Sequence, residues 1–527
     1  MMKLNRVFRS MALVLALLTT GVAADNKQKP KLLVALVVDQ FRYDYLTRFR
    51  ADYHGGIAQL LEHGAVYTDA HYLHFPTVTA IGHSTFMTGA LPSVSGIVGN
   101  DWYERENKQQ RPGPVTSVSD PETRLVGGGP GLPGSSPWRL LVSTLPDELK
   151  MAKRAGKVIG ISMKDRSAIL PSGHMADGAY WFDADSSNFV TSTYYMNKLP
   201  DWVQKVNDSR PAFKYAGMPW MALDAKPGDK PFCSMTAGTE TRFCGAIEFT
   251  PFANEMLEEM AEKAIENEKL GTHEGTDVLA ISFSANDYVG HQLGPDAPEV
   301  RDISIRTDQV LKKLLDFIDA RLGPGNTLVV FTADHGVAPV PEVNIARHMP
   351  GGRLSSSEIA RVISEKLSAK FGKGNWFVYD NSGFLYLNYK TVADNNADPV
   401  EVRRFAAEIA RAVPHIARVF NRDDLLRGGD AADSVGRAGL FGFYGPRSGD
   451  LVLLPEPYYM FSESGTTHHM PYNYDTHVPL IFYGAGIHAG VHYQPVTVND
   501  VAATLAAFLQ VETPSGCSGR ILADVLE

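Results

Sequence analysis

Continuous apolar runs, rather than alternating ones, set the rhythm of this chain. Leu32–Val38, Val158–Ser162, Val278–Phe283, Leu328–Thr332, Leu451–Leu454 and Val478–Phe482 are almost uniformly hydrophobic. A strand with core on both of its faces reads this way. The pattern therefore predicts an α/β fold with a central, mostly parallel sheet flanked by helices. Helical periodicity is strongest over Glu299–Leu322, where Val300, Ile303, Val310, Leu311, Leu314, Leu315 and Ile318 form one stripe and Gly323-Pro324 ends it. Val501–Leu509 carries a second helical pattern. Two long segments interrupt the strand series. Residues 182–271 are rich in aromatics, Pro and Gly and read as an insertion over the sheet edge. Residues 350–439 pair helical stripes (Ser356–Phe371, Val400–Val413) with short strands (Trp376–Tyr379, Gly383–Asn388) and predict a small α+β cap.

The N-terminus follows a different pattern. Lys3, Arg6 and Arg9 precede the short apolar run Met11–Leu18, and Gly21-Val22-Ala23-Ala24 supplies small residues for cleavage. This is a signal-peptide pattern over residues 1–24, too short in its apolar part for the ~20 residues of a membrane span. It leaves one domain over residues 25–527, expected in the periplasm or secreted, with no membrane association once the signal is removed. A formal net charge of -9 over 527 residues, without a Lys/Arg run, argues against a nucleic-acid partner. Cys233 and Cys244 are spaced to close a small loop by a disulfide, leaving Cys517 over. Free thiols are the alternative at this spacing.

Candidate chemistry gathers at predicted strand ends. Asp39 follows the first run, Asp287 and His291 follow Val278–Phe283, Asp334 and His335 follow Leu328–Thr332, and His477 opens the last run. In an open α/β sheet the strand C-termini share one edge, where sites form. Carboxylates with imidazoles make a zinc-type donor set that keeps positions open for substrate. Thr79 lies in a Pro76–Gly82 segment about to enter a helix, where a hydroxyl meets free N–H groups and the positive dipole end. Thr77, Ser84 and Thr85 are rivals on spacing alone. Asn100, behind Gly96 and Gly99, offers an amide donor to a phosphoryl oxygen, though this segment alone reads first as an ordinary Gly-Asn turn. Lys164 and Arg166, held by Asp165 between them just past a strand, would form a cationic clamp for a dianion, with a solvated surface salt bridge as the alternative. His468 and His469 read as a surface loop pair, with a supporting role at the metal site as the alternative.

Taken in order, Val38-Asp39, Pro76–Thr88, Gly99-Asn100-Asp101-Trp102, Lys164-Asp165-Arg166, Asn286–His291, Thr332–Gly336 and Tyr474–Pro479 resemble the alkaline phosphatase superfamily. The likeness is to its single-chain bacterial phosphatases with a threonine nucleophile, the phosphate-irrepressible type. The resemblance implies two Zn2+ per chain, one on Asp287, His291 and His477, the other on Asp39, Asp334 and His335 with Thr79 beside it. An additional Ca2+ or Mg2+ is left open. It also implies that Asn100, Lys164 and Arg166 hold the phosphoryl oxygens. The expected reaction is hydrolysis of small-molecule phosphate monoesters through a phosphothreonine, by a monomeric enzyme that releases inorganic phosphate. A phosphodiesterase or nucleotide pyrophosphatase on the same scaffold is the alternative. A non-catalytic, metal-dependent binding protein is another, and it has no use for Thr79.

Overall fold

The computed structural model describes residues 29–105, 112–129, 131–234, 246–429 and 431–526. The signal-peptide segment 1–24 and Cys244 lie outside the described residues. Cys233 is disulfide-bonded and Cys517 is a half-buried free thiol.

Six strands carry or adjoin the candidate residues: β1 (Leu32–Val38), β2 (Ala155–Ser162), β3 (Gly178–Asp183), β4 (Thr276–Phe283), β5 (Thr327–Thr332) and β6 (Leu480–Gly484). They lie in a sheet that counts eleven strands among the described residues. At its centre β5, β1, β4, β2 and β3 run parallel in that spatial order. Both flanks are antiparallel: β6 pairs with β5, and Asn188–Ser192 pairs with β3. Every residue of β1, β4 and β5 is buried, as expected for strands covered on both faces. The long helical stripe is the helix Pro298–Leu322, whose buried residues include the predicted Val300, Ile303, Leu311, Leu314 and Ile318.

Two expectations change. Leu451–Pro455 is not part of the main sheet. It lies between Phe384–Leu387 and Ile416–Asn421 in a separate four-stranded antiparallel sheet that also contains Phe377–Asn381. Leu451 and Leu453 face a core built with Trp376, Leu387 and Val402 of the α+β unit. Val452 and Leu454 face Phe75 and Phe420 on the other side. Burial on both faces makes a uniformly apolar run in either kind of sheet, so hydrophobicity alone does not separate the two. The α+β unit thus draws a strand from beyond residue 439. Residues 182–271 also differ from the insertion expected of them. Asn188–Ser192 extends the main sheet, and Trp202, Tyr215, Trp220, Phe252, Met256 and Leu257 are part of the main hydrophobic core. Among the described residues no helix is long and apolar enough to cross a membrane.

Candidate active site and metal centre

Register places the acidic residues. Val38 pairs with Phe283 of β4, and Val37 with Thr332 of β5, so the three chains leave the sheet side by side. Asp39 follows β1 directly, and Asp334 lies just past β5. Asp287 is in the first turn of α1 (Ala285–Leu293), which begins as β4 ends. All three carboxylates are buried. Lys164 follows β2, and its Nζ lies 2.5 Å from Asp39 Oδ2 and 2.6 Å from Asp287 Oδ2. Burial alone lowers an ammonium pKa, but Asp287 and Asp39 overcome that effect and hold Lys164 above its usual range. Asp39 is pushed up to about 7 by burial and by its neighbours Asp287 and Asp334, against the pull of Lys164 and His335. A single ammonium therefore does not balance this group of acids.

The imidazoles show what kind of group completes the balance. His335 Nδ1 donates to Gly336 O at 2.9 Å, His291 Nδ1 to Thr466 O at 2.8 Å, and His468 Nδ1 to Thr77 O at 2.7 Å. Each ring therefore presents an Nε2 lone pair when neutral. His335 Nε2 faces Asp39 Oδ1 at 3.5 Å and Asp334 Oδ2 at 3.3 Å, and these two oxygens are buried without a hydrogen-bond partner. His291 Nε2 faces Asp287 Oδ1 at 3.2 Å, with His468 Nε2 at 4.0 Å from the same oxygen. Lone pairs pointed at lone pairs repel unless a cation lies between them. Protons do not serve at two of these rings. Burial pushes His335 down to about 4 and His468 well below the ordinary imidazole value. At His291 burial also lowers the pKa, but Asp287 outweighs it and the net shift is upward. The donor set fits divalent metal ions of the zinc type.

The third imidazole of the outer set is His468, which corrects two expectations. His468 is buried, stacks on His335 with ring centroids 3.5 Å apart, and groups with Asp287 and His291. It is not a surface residue. His477 is at the same sheet edge, because β6 is antiparallel and starts where β5 ends. Its ring, however, stacks between Tyr43 and His71, and its Nε2 donates to Thr68 O at 3.0 Å. It groups with Asp69 and His71 instead of Asp287. Asp287 also comes within ligand distance of Asp39 and His335, so the two sets share an edge.

Thr79 is the first residue of α2 (Thr79–Thr88), with Val78 as N-cap. Its Oγ1 lies 3.4 Å from His335 Nε2, and the residue is buried. Thr77, Ser84 and Thr85 have their hydroxyls committed to the backbone carbonyls of Met470, Ile81 and Ala90. Gly82 lets α2 approach this closely: a Cβ there would lie 2.2 Å from Asp334 O. His83, one turn after Thr79, donates from Nδ1 to Thr79 O at 2.9 Å and contacts Ser282 Oγ of β4 through Nε2 at 2.9 Å. Gln40 donates its N–H to Asp334 Oδ1 and its amide to Asp287 Oδ1, at 3.1 and 2.6 Å. Sequence reading missed both His83 and Gln40. Their signal is weak: a histidine within a buried helix and a glutamine next to a ligand-type Asp.

Asn100 Oδ1 accepts the Ala80 N–H at 2.9 Å, which caps the start of α2 and turns the amide NH2 the other way. Asn100 lines a cavity of about 220 Å³ together with Val78, Asp101, Phe384, Tyr386 and His469. Arg166 differs from the expected tight Asp165 clamp. Its guanidinium comes no closer than 3.9 Å to Asp165 Oδ1, and its Nε is buried without a hydrogen-bond partner. Asp165 instead accepts from the Arg166 backbone N–H and from Ser135 Oγ. The Arg166 guanidinium is thus not committed to Asp165, whereas Lys164 is held by the acids.

The model of the type I phosphodiesterase / nucleotide pyrophosphatase family matches residues 33–478. The chain belongs to this family, within the alkaline phosphatase superfamily. Among its relatives, alkaline phosphatase PafA of Elizabethkingia meningoseptica is 34% identical over 524 residues, covering 94% of this chain and 95% of that protein. Alkaline phosphatase PhoV of Synechococcus elongatus is also 34% identical, covering 95% of this chain and 93% of its own length. The crystal structure of wild-type PafA superposes with a TM-score of 0.88 at 33% identity, over 95% of this chain and 99% of that one.

Proposed function

We propose that this family member is a metal-dependent alkaline phosphatase that hydrolyses small phosphate monoesters. The observation that carries the reading is Thr79 Oγ1 at a helix N-terminus, 3.4 Å from an imidazole nitrogen whose lone pair faces two unpartnered carboxylate oxygens. Relatives named as alkaline phosphatases, similar along nearly the whole chain, support it. Asp39, Asp334 and His335 would hold one ion, and Asp287, His291 and His468 the other. Both are taken as zinc. When bound, such ions neutralise phosphoryl charge and lower the pKa of hydroxyl groups.

The residues divide the work. Thr79 Oγ, its proton lost to solvent, attacks phosphorus as the ester P–O bond breaks on the opposite side, and the departing alkoxide takes a proton from water to leave as the alcohol. Water then attacks the phosphothreonine, releasing inorganic phosphate and restoring Thr79. The Asn100 amide, fixed by its contact with Ala80, and the Arg166 guanidinium bind the non-bridging oxygens. The α2 N-terminus adds its dipole. Residues 1–24 would direct the protein out of the cytoplasm, so phosphate is released there. Chelation is the direct test. Aryl phosphate turnover should fall below detection after chelator treatment and return with added zinc. Undiminished turnover in the chelated protein excludes the metal-dependent reading.

The family description makes a phosphodiesterase the second reading. Arg166 decides between the two, together with Lys164 once bound ions take over the balance of Asp39 and Asp287. A monoester dianion carries one more charged oxygen than a diester, and cations placed for that oxygen act mainly on the monoester. Lys164→Ala with Arg166→Ala should lower kcat/KM for an aryl monoester by about 10³-fold, and for the matching diester by about tenfold at most. Equal losses on the two substrates count against the monoesterase assignment.

A further inference from the structure

The cavity that Asn100 lines has room for more than a phosphoryl group. It measures about 220 Å³, and roughly 150 Å³ accommodates a benzene ring. Three of its lining residues bracket the reaction. Val78 precedes Thr79, Asn100 presents its amide to the phosphoryl group, and His469 follows His468. The opposite wall comes from the α+β unit. Phe377–Asn381 and Phe384–Leu387 pair antiparallel around the turn Ser382-Gly383, whose φ values are 47° and 87°. Asn381, Ser382, Phe384 and Tyr386 of this hairpin line the cavity.

The hairpin is fastened to the turn that carries Asn100. Asp101 Oδ1 accepts from Tyr379 Oη at 2.5 Å and from Asn381 Nδ2 at 2.6 Å. Tyr386 Oη donates to Arg447 O at 3.0 Å, which leaves its ring as wall. Phe384 is half-buried and packs against Phe75 with ring centroids 5.7 Å apart. His469 is held in a strained backbone conformation, with φ at 114°, where glycine is favoured. Its neighbours impose this: Thr77 N–H donates to His469 O, and Asp475 Oδ2 accepts the Met470 N–H at 2.7 Å. Such strain gathers at ligand-binding positions.

The lining also carries a charge preference. Among the described residues that line the cavity there is no lysine or arginine, and Asp101 is an acid. A second anionic group finds no counter-charge here. Val78, Val98, Phe384 and Tyr386 supply an apolar, aromatic surface instead.

We propose that this cavity binds the alcohol portion of the ester, and that Phe384 of the α+β unit selects monoesters of uncharged, ring-bearing alcohols. The inference rests on the phosphatase reading above. Attack by Thr79 sends the alcohol out on the opposite side, toward His468, and from there its ring extends past His469 into the cavity. A ring buried against Phe384 and Tyr386 gains contacts that a methyl group does not reach.

Benzyl phosphate and methyl phosphate test the assignment, because their alcohols are of similar acidity and differ mainly in the ring. The parent enzyme should show a kcat/KM about tenfold or more higher for benzyl phosphate. Phe384→Ala should lose most of that preference, while its kcat/KM for methyl phosphate stays within about twofold of the parent. Ser382→Trp fills the cavity from the hairpin turn without removing a packed side chain, and should act in the same way. The parent should also process para-carboxybenzyl phosphate several-fold less efficiently than benzyl phosphate. A parent that does not distinguish benzyl from methyl overturns the proposal and leaves the phosphatase reading intact. So do two variants that each lower both esters alike, or equal kcat/KM for the carboxylated and plain benzyl esters. No turnover of either ester by the parent overturns the phosphatase reading, and the proposal with it.

Discussion

A Thr79→Ala protein is expected to hydrolyse phosphate monoesters about 10⁴-fold more slowly than the parent or worse, with its metal content unchanged. Nucleophile deletions in covalent mechanisms remove most of the rate and leave only what binding and electrostatic stabilisation provide. Among the described residues, the neighbouring hydroxyls offer no substitute near His335. The hydroxyls of Thr77, Ser84 and Thr85 are spent on backbone carbonyls. The change is also small for the fold, since Thr79 is the first residue of its helix and Ala80 N–H keeps its bond to Asn100. Saturating kcat on an aryl phosphate, with metal analysis of the same sample, reads both quantities. A variant that retains parental kcat places the nucleophile elsewhere. Acid-quenched parental protein should also show phosphate on Thr79 by peptide mass, which no direct attack by water would leave.

The second large effect separates two histidines. His468→Ala should lower kcat by about 10²-fold or more and lose one tightly held ion, because it removes an imidazole from the set with Asp287 and His291. His477→Ala should retain turnover close to that of the parent. Its ring touches Tyr43, His71 and the Thr68 carbonyl and none of the buried acids. Steady-state kinetics on the two proteins side by side is decisive. Parental activity in His468→Ala with a dead His477→Ala would restore the assignment suggested by sequence.

That reversal shows where sequence was informative and where it was not. Asp39, Asp287, Asp334 and His335 were legible because each follows an apolar run that had to be a buried strand, and parallel strands bring their ends to one edge. His477 opens its run instead of following it, and it reaches that edge only because β6 is antiparallel. The rule fixes an edge but not a position along it, and β6 is antiparallel on the flank. His468 has no such marker. It belongs to a loop, and its placement depends on a hydrogen bond to Thr77, far away in sequence. The phase of a helix or strand says nothing about such a contact. The strand Leu451–Pro455 was misplaced for a related reason. Its apolar run reported burial on two faces but not which core supplied them. Gln40 and His83 were invisible because their roles consist of hydrogen bonds to groups that only the tertiary fold brings near.

The reach of Lys164 to both Asp39 and Asp287 has a consequence for how the enzyme is assembled. Stripped of its ions, the protein still carries a positive charge of its own between those acids, bonded to both. Lys164 thus offsets part of the repulsion between the acids without metal, and maturation is expected to proceed in two stages: the polypeptide folds first and is charged with ions later. Chelation should accordingly yield a dormant but intact precursor that revives on resupply, instead of a denatured one.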